Sequence, residues 1–268
     1  MLPSINIFGK EIATYAIIAV IGILFCGYLA LKLTKQILND NNDMLYTLLF
    51  SIIGIFLGGH LLYGIINFNL IIELITKWNM VTSVEIFINC IYKIFGGSVF
   101  YGGLIGGILV GFIYMKKKKL PIGLYSDIIA PIIPLFHFFG RIGCFLGGCC
   151  YGIETSFGFL YENQLIPQAS GVIRFPVQLL ESLFNIILFL VLMLFFKKGK
   201  FKNKLIYIYL LIYSVGRFFI EFLRGDDYRG YIFSLSTSQF IGIIIFLSSA
   251  TILLFKYIKE KKAYKNLL

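Results

Sequence analysis

The sequence predicts an all-α integral membrane protein, a bundle of seven transmembrane helices around an outward-facing polar cavity. Three observations carry this reading. Only 14% of the residues are charged and the mean hydropathy is +0.88, whereas a soluble domain carries about a quarter charged residues. Uncharged apolar stretches recur at the length a helix needs to cross a bilayer, about 20 residues. Lysine tracts fall on alternate connections, the pattern that the positive-inside rule gives a chain crossing repeatedly.

The spans fall at roughly 12–31, 44–66, 96–115, 128–147, 177–196, 205–223 and 238–255. Lys32 and Lys35 follow the first, Lys116 to Lys119 the third, Lys197 to Lys204 the fifth, and Lys256 to Lys265 the last. These connections share one side, which the rule makes cytoplasmic, so the N-terminus is expected outside and the C-terminus inside. The first span has no short apolar core ending in a small-residue cleavage site, and reads as a retained helix. Among the outer connections, 67–95 mixes apolar and polar residues as a re-entrant or interfacial segment would. Residues 150–176 form a polar arm ending in Arg174-Phe-Pro, and 224–237 carry Arg-Gly-Asp-Asp-Tyr-Arg-Gly before a Ser/Thr run. No repeat or linker divides the chain, so a single domain over 1–268 is expected.

The net charge of +11 would suit nucleic acid in a soluble protein. Here the lysines flank apolar spans, so topology and anionic lipid headgroups account for them, and no nucleic-acid partner is expected. Of the five cysteines, none forms the repeated CxxC of a structural zinc site. No metal and no cofactor are expected. Cys144, Cys149 and Cys150 read either as small apolar residues in a tight helix end or as reactive thiols.

Charged groups inside spans are costly and usually functional. Arg141 lies in the outer half of the fourth span, Arg217 and Glu221 late in the sixth, Gln178 and Glu181 at the outer start of the fifth. Tyr15, His60, Tyr101 and Gln239 sit toward the same side in spans one, two, three and seven. Tyr213, Arg217, Glu221 and Arg224 recur at helical spacing, as do His137, Arg141, Cys144 and Gly148. The plain reading of Arg217 and Glu221 is an i, i+4 ion pair that braces the bundle. With Arg141 and Glu181 at the same depth, a polar cavity is the fuller reading. Two guanidinium groups there suit a phosphate or an anionic phospholipid headgroup. Gly102 and Gly103 are expected beside the cavity, and Gly106 in helix packing.

Several motifs resemble those of the prolipoprotein diacylglyceryl transferases. They are Tyr101-Gly-Gly-Leu-Ile-Gly106, Asp127-Ile-Ile-Ala-Pro-Ile-Ile-Pro134, Gly140-Arg-Ile-Gly143, Gln178-Leu-Leu-Glu181 and Tyr213-Ser-Val-Gly-Arg-Phe-Phe-Ile-Glu-Phe-Leu-Arg224. The resemblance covers nearly the whole chain in order. It implies transfer of a diacylglyceryl group from phosphatidylglycerol to the lipobox cysteine in the signal peptide of a lipoprotein precursor. It also implies a bacterial plasma membrane, a site toward the outer leaflet and no cofactor. Arg141 and Arg217 would hold the phosphate and Glu221 would orient Arg217. Tyr15 and Tyr213 would line the site, and Gly152 would close the signature.

The chain departs from that family's pattern at Tyr101, where the family has histidine, and at Cys144 and Cys149, where it has asparagine and an acid. His60 stands where an arginine is expected. Tyr101 as proton relay or His137 as base would keep the family reaction. A nucleophilic Cys144 or Cys149, or a different acceptor, would redirect it. A lipid-binding protein without turnover is the reading from another class.

Overall fold

The structure is a computed structural model that describes residues 1–162, 169–226 and 230–265. The chain forms two compact units, one of residues 1–33 and 123–268, the other of residues 34–122. Nine α-helices longer than one turn lie among the described residues. Six are long and apolar enough to cross a membrane: α1 (Thr14–Leu38), α2 (Asn42–Ile66), α6 (Ile122–Gly147), α7 (Val177–Lys197), α8 (Leu205–Ile220, extended to Leu223 by a 3₁₀ turn) and α9 (Thr237–Lys265). The expected third span, α5 (Phe100–Lys117), passes the same test only together with α4 (Val84–Phe95), from which it is bent by 89°. Six spans therefore stand on their own, and a seventh exists if that bent pair counts as one. Segment 67–95 is helical, as α3 (Phe68–Thr76), a single 3₁₀ turn (Trp78–Met80) and α4.

The unit of residues 34–122 is a glycine-mediated helix pair. A Cβ at Gly54 or Gly58 would strike the Gly106 or Gly102 carbonyl, and the reverse holds for Gly102 and Gly106. Helix backbones in lipid approach this closely only where small residues line the crossing. His60, late in α2, sets its Nδ1 at 2.7 Å from the Phe95 carbonyl and 2.8 Å from that of Gly97. It thereby fastens the bend between α4 and α5, where helix geometry leaves carbonyls without partners.

In the other unit, the lysine-rich ends are tied by polar contacts. Asp127 of α6 accepts hydrogen bonds from the backbone N–H groups of Asn203 and Leu205. It thus caps α8, whose first N–H groups have no partner within the helix. Lys256 donates to the Asn203 carbonyl at 2.6 Å, and Lys204 pairs with Glu260 at 2.5 Å. Basic residues also close α1, α5 and α7, where they complement the negative end of the helix dipole.

The chain is not purely helical. Among the described residues, three two-stranded antiparallel sheets lie in the connections and at the N-terminus: β1 (Ser4–Ile7) with β2 (Lys10–Ala13), β3 (Glu154–Leu160) with β4 (Ile173–Arg174), and β5 (Tyr231–Ile232) with β6 (Leu235–Ser236). In the first, Phe8 and Gly9 have φ of 50° and 80°, the paired positive values a tight hairpin turn demands. Residues 10–13 are used in that hairpin, so the first helix begins at Thr14. The sequence arm 150–176 contains β3 and β4, with residues 163–168 outside the described residues. Of the Arg-Gly-Asp-Asp-Tyr-Arg-Gly stretch, residues 227–229 are likewise outside them.

Gly106→Val is expected to cost about 1–3 kcal/mol through overpacking of the α2–α5 crossing, read as a lowered melting temperature of the detergent-solubilised protein. Gly27→Ala, where an added Cβ meets nothing within 4 Å, should leave the melting temperature within a degree or two of wild type.

Candidate functional site

Three helices of the unit formed by residues 1–33 and 123–268 converge on one carboxylate. Glu181, in the second turn of α7, pairs through Oε2 with Arg141 Nε of α6 and through Oε1 with Arg217 Nη1 of α8 at 2.7 Å. Arg217 also reaches Glu221 Oε2 at 2.5 Å and Ser238 Oγ at 3.4 Å. Glu181 and Glu221 are almost wholly buried, with side chains 5% and 2% exposed, while Arg141 retains 21%. Two arginines and two glutamates thus form a chain of alternating charge, so the net charge is close to zero despite the apolar setting. Each ion is paired, and a buried ion persists only with such partners.

Neighbouring polar groups hold this chain in place. Asn185 donates to the Glu181 carbonyl at 2.8 Å and Ser182 to the Phe138 carbonyl at 3.3 Å. His137, one turn before Arg141, packs on the Tyr213 ring with centroids 5.2 Å apart, and its Nδ1 lies 3.5 Å from the Tyr209 hydroxyl. Gln239 accepts from the Ser236 N–H at 3.0 Å and donates to the Phe218 carbonyl at 3.3 Å, fixing the start of α9 against α8. Tyr15, early in α1, stands against Gly143, where an added Cβ would come within 3.0 Å of its ring.

α6 ends at Gly147 and Gly148 turns left-handed, with φ 69°, the usual exit of a helix through glycine. Cys150 is also left-handed, φ 55°. The turn swings Cys149 and Cys150 back over Cys144. The three sulfurs lie within 4.8 Å of one another. Gln178 holds the turn, donating to the Cys149 carbonyl at 2.7 Å while accepting from the Tyr161 hydroxyl at 2.9 Å. Burial pushes the Tyr161 phenol up to about 12, so it remains a donor at any physiological pH.

The structure shortens both polar stripes. After Ile220 the helix tightens to 3₁₀ and Arg224 leaves it extended, at φ −87° and ψ 139°. Arg224 therefore departs from the Tyr213–Arg217–Glu221 face. It makes a bidentate pair with Asp226, at 2.9 and 2.6 Å, and bridges Gly152 as an antiparallel backbone partner. Gly152 has no room for a side chain, because a Cβ would strike the Phe175 carbonyl. Gly148 likewise lies beyond the helical face of His137, Arg141 and Cys144.

Arg174, given no role by sequence reasoning, is a hub of the arm. It donates to the carbonyls of Ala169 at 3.0 Å and Gly152 at 3.2 Å, pairs with Glu154, and lies 4.5 Å over the Tyr151 ring. Its position before Phe-Pro, at the mouth of α7, was the one available signal. Tyr101, Gly102, Gly103 and His60 belong to the other unit. There Gly102 and Gly103 pack against α2, the use expected of Gly106, and Tyr101 packs edge-on against Phe100.

The fold and this site define a membrane-embedded protein with a paired-arginine centre near one end of its helices. The particular family follows from comparison with known proteins: the chain matches the family described as prolipoprotein diacylglyceryl transferase over residues 3–255, and it belongs to that family. It is 38% identical to phosphatidylglycerol–prolipoprotein diacylglyceryl transferase 2 of Clostridium perfringens, over 96% of each chain. It is 35% identical to the corresponding transferase of Clostridium tetani, over 89% of this chain and 90% of that one. With the Enterococcus faecalis transferase it shares 30% over 95% of this chain and 91% of that one.

Glu181→Ala leaves two buried guanidinium groups without their shared partner. Loss of one member of a buried ion pair typically costs about 3–5 kcal/mol. A melting temperature lowered well beyond that of Glu154→Ala, whose own carboxylate is solvent-exposed and whose partner Arg174 keeps its bonds to the Ala169 and Gly152 carbonyls, is the expected outcome in thermal unfolding of the detergent-solubilised protein.

Proposed function

We propose that this chain transfers the diacylglyceryl group of phosphatidylglycerol to a cysteine thiol of lipoprotein precursors, a step of lipoprotein biosynthesis. It is a transferase of a bacterial membrane, crossing it several times. Full-length family membership supports the reaction. The single structural observation that carries the reading is Glu181 gripping Arg141 and Arg217 together. Glu181 takes Arg141 at Nε, which leaves its two terminal amino groups as donors for phosphate oxygens. A guanidinium presents them as a planar fork that fits two such oxygens at once. Held side by side, the arginines favour the charge that gathers on phosphate as the glyceryl C–O bond breaks.

Arg141 and Arg217 grip the headgroup, Glu221 and Glu181 position them, and Tyr15 and Tyr213 line the lipid. Arg224 and Gly152 join the arm to the end of α8 beside them, a border for the second substrate. Gly102 and Gly103 bring the Tyr101 turn close to α2. The acceptor thiol gives its proton to His137, or to Tyr101 acting as relay. The site opens to the outer leaflet, through a polar cavity, with the N-terminus outside and the C-terminus in the cytoplasm. Supporting that orientation, Glu181 and Lys197 stand at opposite ends of α7, about 24 Å apart at 1.5 Å per residue. The lysine tracts then meet the cytoplasmic face. The partners are phosphatidylglycerol or a similar anionic phospholipid, the lipobox signal peptide, and the bilayer.

Expression in a bacterium depleted of its own transferase tests this directly. The wild-type chain should restore growth and lipidation of a reporter precursor. Arg141→Ala and Arg217→Ala should reduce lipidation at least 100-fold with the protein still in the membrane. Failure of the wild-type chain to lipidate any precursor overturns the reading. In the same assay His137→Gln tests the first proton route: a loss of 10²-fold or more assigns the base to His137, and near-normal turnover excludes it.

A further inference from the structure

Three thiols stand together beside the paired arginines, and neither the phosphate grip nor the proton routes uses them. Cys144 closes the last turn of α6, and the left-handed Gly148 and Cys150 fold Cys149 and Cys150 over it, so that all three sulfurs lie within 4.8 Å of one another. Sulfurs bound to one tetrahedral zinc at about 2.3 Å would stand about 3.8 Å apart. A contraction of about an ångström at most therefore closes the set. The turn is already anchored by the Gln178 side chain on the Cys149 carbonyl, and the Cys149 N–H bonds the Cys144 carbonyl at 3.1 Å. All three cysteines are free of disulfides.

We propose that Cys144, Cys149 and Cys150 form a three-sulfur site for a zinc-type divalent cation, whose fourth position receives the acceptor thiol. Thiolate donors select soft or borderline metals over magnesium or calcium. Three protein ligands with one open position is the pattern of catalytic zinc, whereas four protein ligands mark a structural site. The site lies on the same turn as the phosphate grip, since Cys144 follows Arg141 by three residues on α6.

The inference rests on the transfer reaction proposed above. A thiol that binds the metal is acidified, gives its proton to the base of the proposed reaction and becomes a bound thiolate. Its sulfur then forms the S–C bond to the glyceryl carbon as the C–O bond to phosphate breaks. Both electrons of that bond leave with the glycerol phosphate, and the metal keeps its oxidation state throughout.

The test uses the full chain in detergent micelles, loaded with zinc or cobalt and washed free of excess. Wild type should retain about one equivalent of metal, and each of Cys144→Ser, Cys149→Ser and Cys150→Ser should bind at least tenfold more weakly. The cobalt form should show a sulfur-to-cobalt charge-transfer band that shifts when a peptide carrying a lipobox cysteine is added, and not with its serine analogue. Equal binding by wild type and the triple serine variant overturns the site, as does thiol titration showing two of these cysteines joined in a disulfide in the active enzyme. Full transfer by chelated, metal-free wild type overturns the acceptor role, independently of any effect of substitution on folding. Metal binding with the peptide-dependent shift, but no transfer from phosphatidylglycerol, upholds the site and fails the proposed reaction instead.

Discussion

One carboxylate sets the terms for the helices around it. Glu181 holds Arg141 of α6 and Arg217 of α8 at once, so three helices must meet at one depth and in one rotation. An unpaired guanidinium in hydrocarbon is costly enough that no alternative register of these helices competes easily. Glu221 then settles the remaining face of Arg217, and Asn185 fixes the α7 backbone under Glu181. At the opposite end of the same helices, Asp127 ties α6 to the start of α8. α6 and α8 are thus pinned by polar contacts at both ends and packed by apolar residues between, around Leu188, Leu192, Leu205 and Tyr209.

The division of charge along the helices gives the protein its direction. Lysines gather where α7 ends and α8 begins, and the arginine–glutamate chain sits where α6 ends and α7 begins. The lysines there are mostly exposed, but the arginines are neutralised by glutamates within the protein. In the reaction proposed above, a lipid phosphate entering that end would meet donors that are already oriented. No reorganisation of the arginines is then needed during reaction, which is the condition under which such donors accelerate transfer most.

Much of this was legible in the sequence because membranes make polarity expensive. The spans were found from hydropathy to within a few residues at α2, α7 and α8. Arg141, Glu181, Arg217 and Glu221 were found because charges within spans demand partners. That Glu181 is the shared partner was not legible, since helix rotation depends on packing rather than on local pattern. Arg224 was misplaced because helical spacing was carried three residues past the point where α8 tightens to a 3₁₀ turn. The hairpins were missed because five of the six strands have only two to four residues, and the seven of β3 pair with a two-residue partner, which leaves too little alternation to read. The bend of 89° before α5 hides in Gly96-Gly-Ser98, which gives a break without its angle.

The cysteines show the same limit most sharply. In sequence they read Cys-x₄-Cys-Cys, a spacing that matches no zinc motif, because those motifs describe ligands on one local scaffold. Here the scaffold is a helix end reversed by two left-handed residues, and only that reversal brings Cys144 to the other two. The chain keeps the arginines that its family resemblance associates with the phosphate, and changes residues beside them to thiols. A phosphate grip needs fixed donors and tolerates little substitution. Activation of the incoming thiol needs only that its proton be removed and its sulfur aimed, which a base or a metal can each do. Divergence confined to the second task leaves the first intact, and that is the partition between Gly140-Arg-Ile-Gly143 and the cysteine turn that follows it.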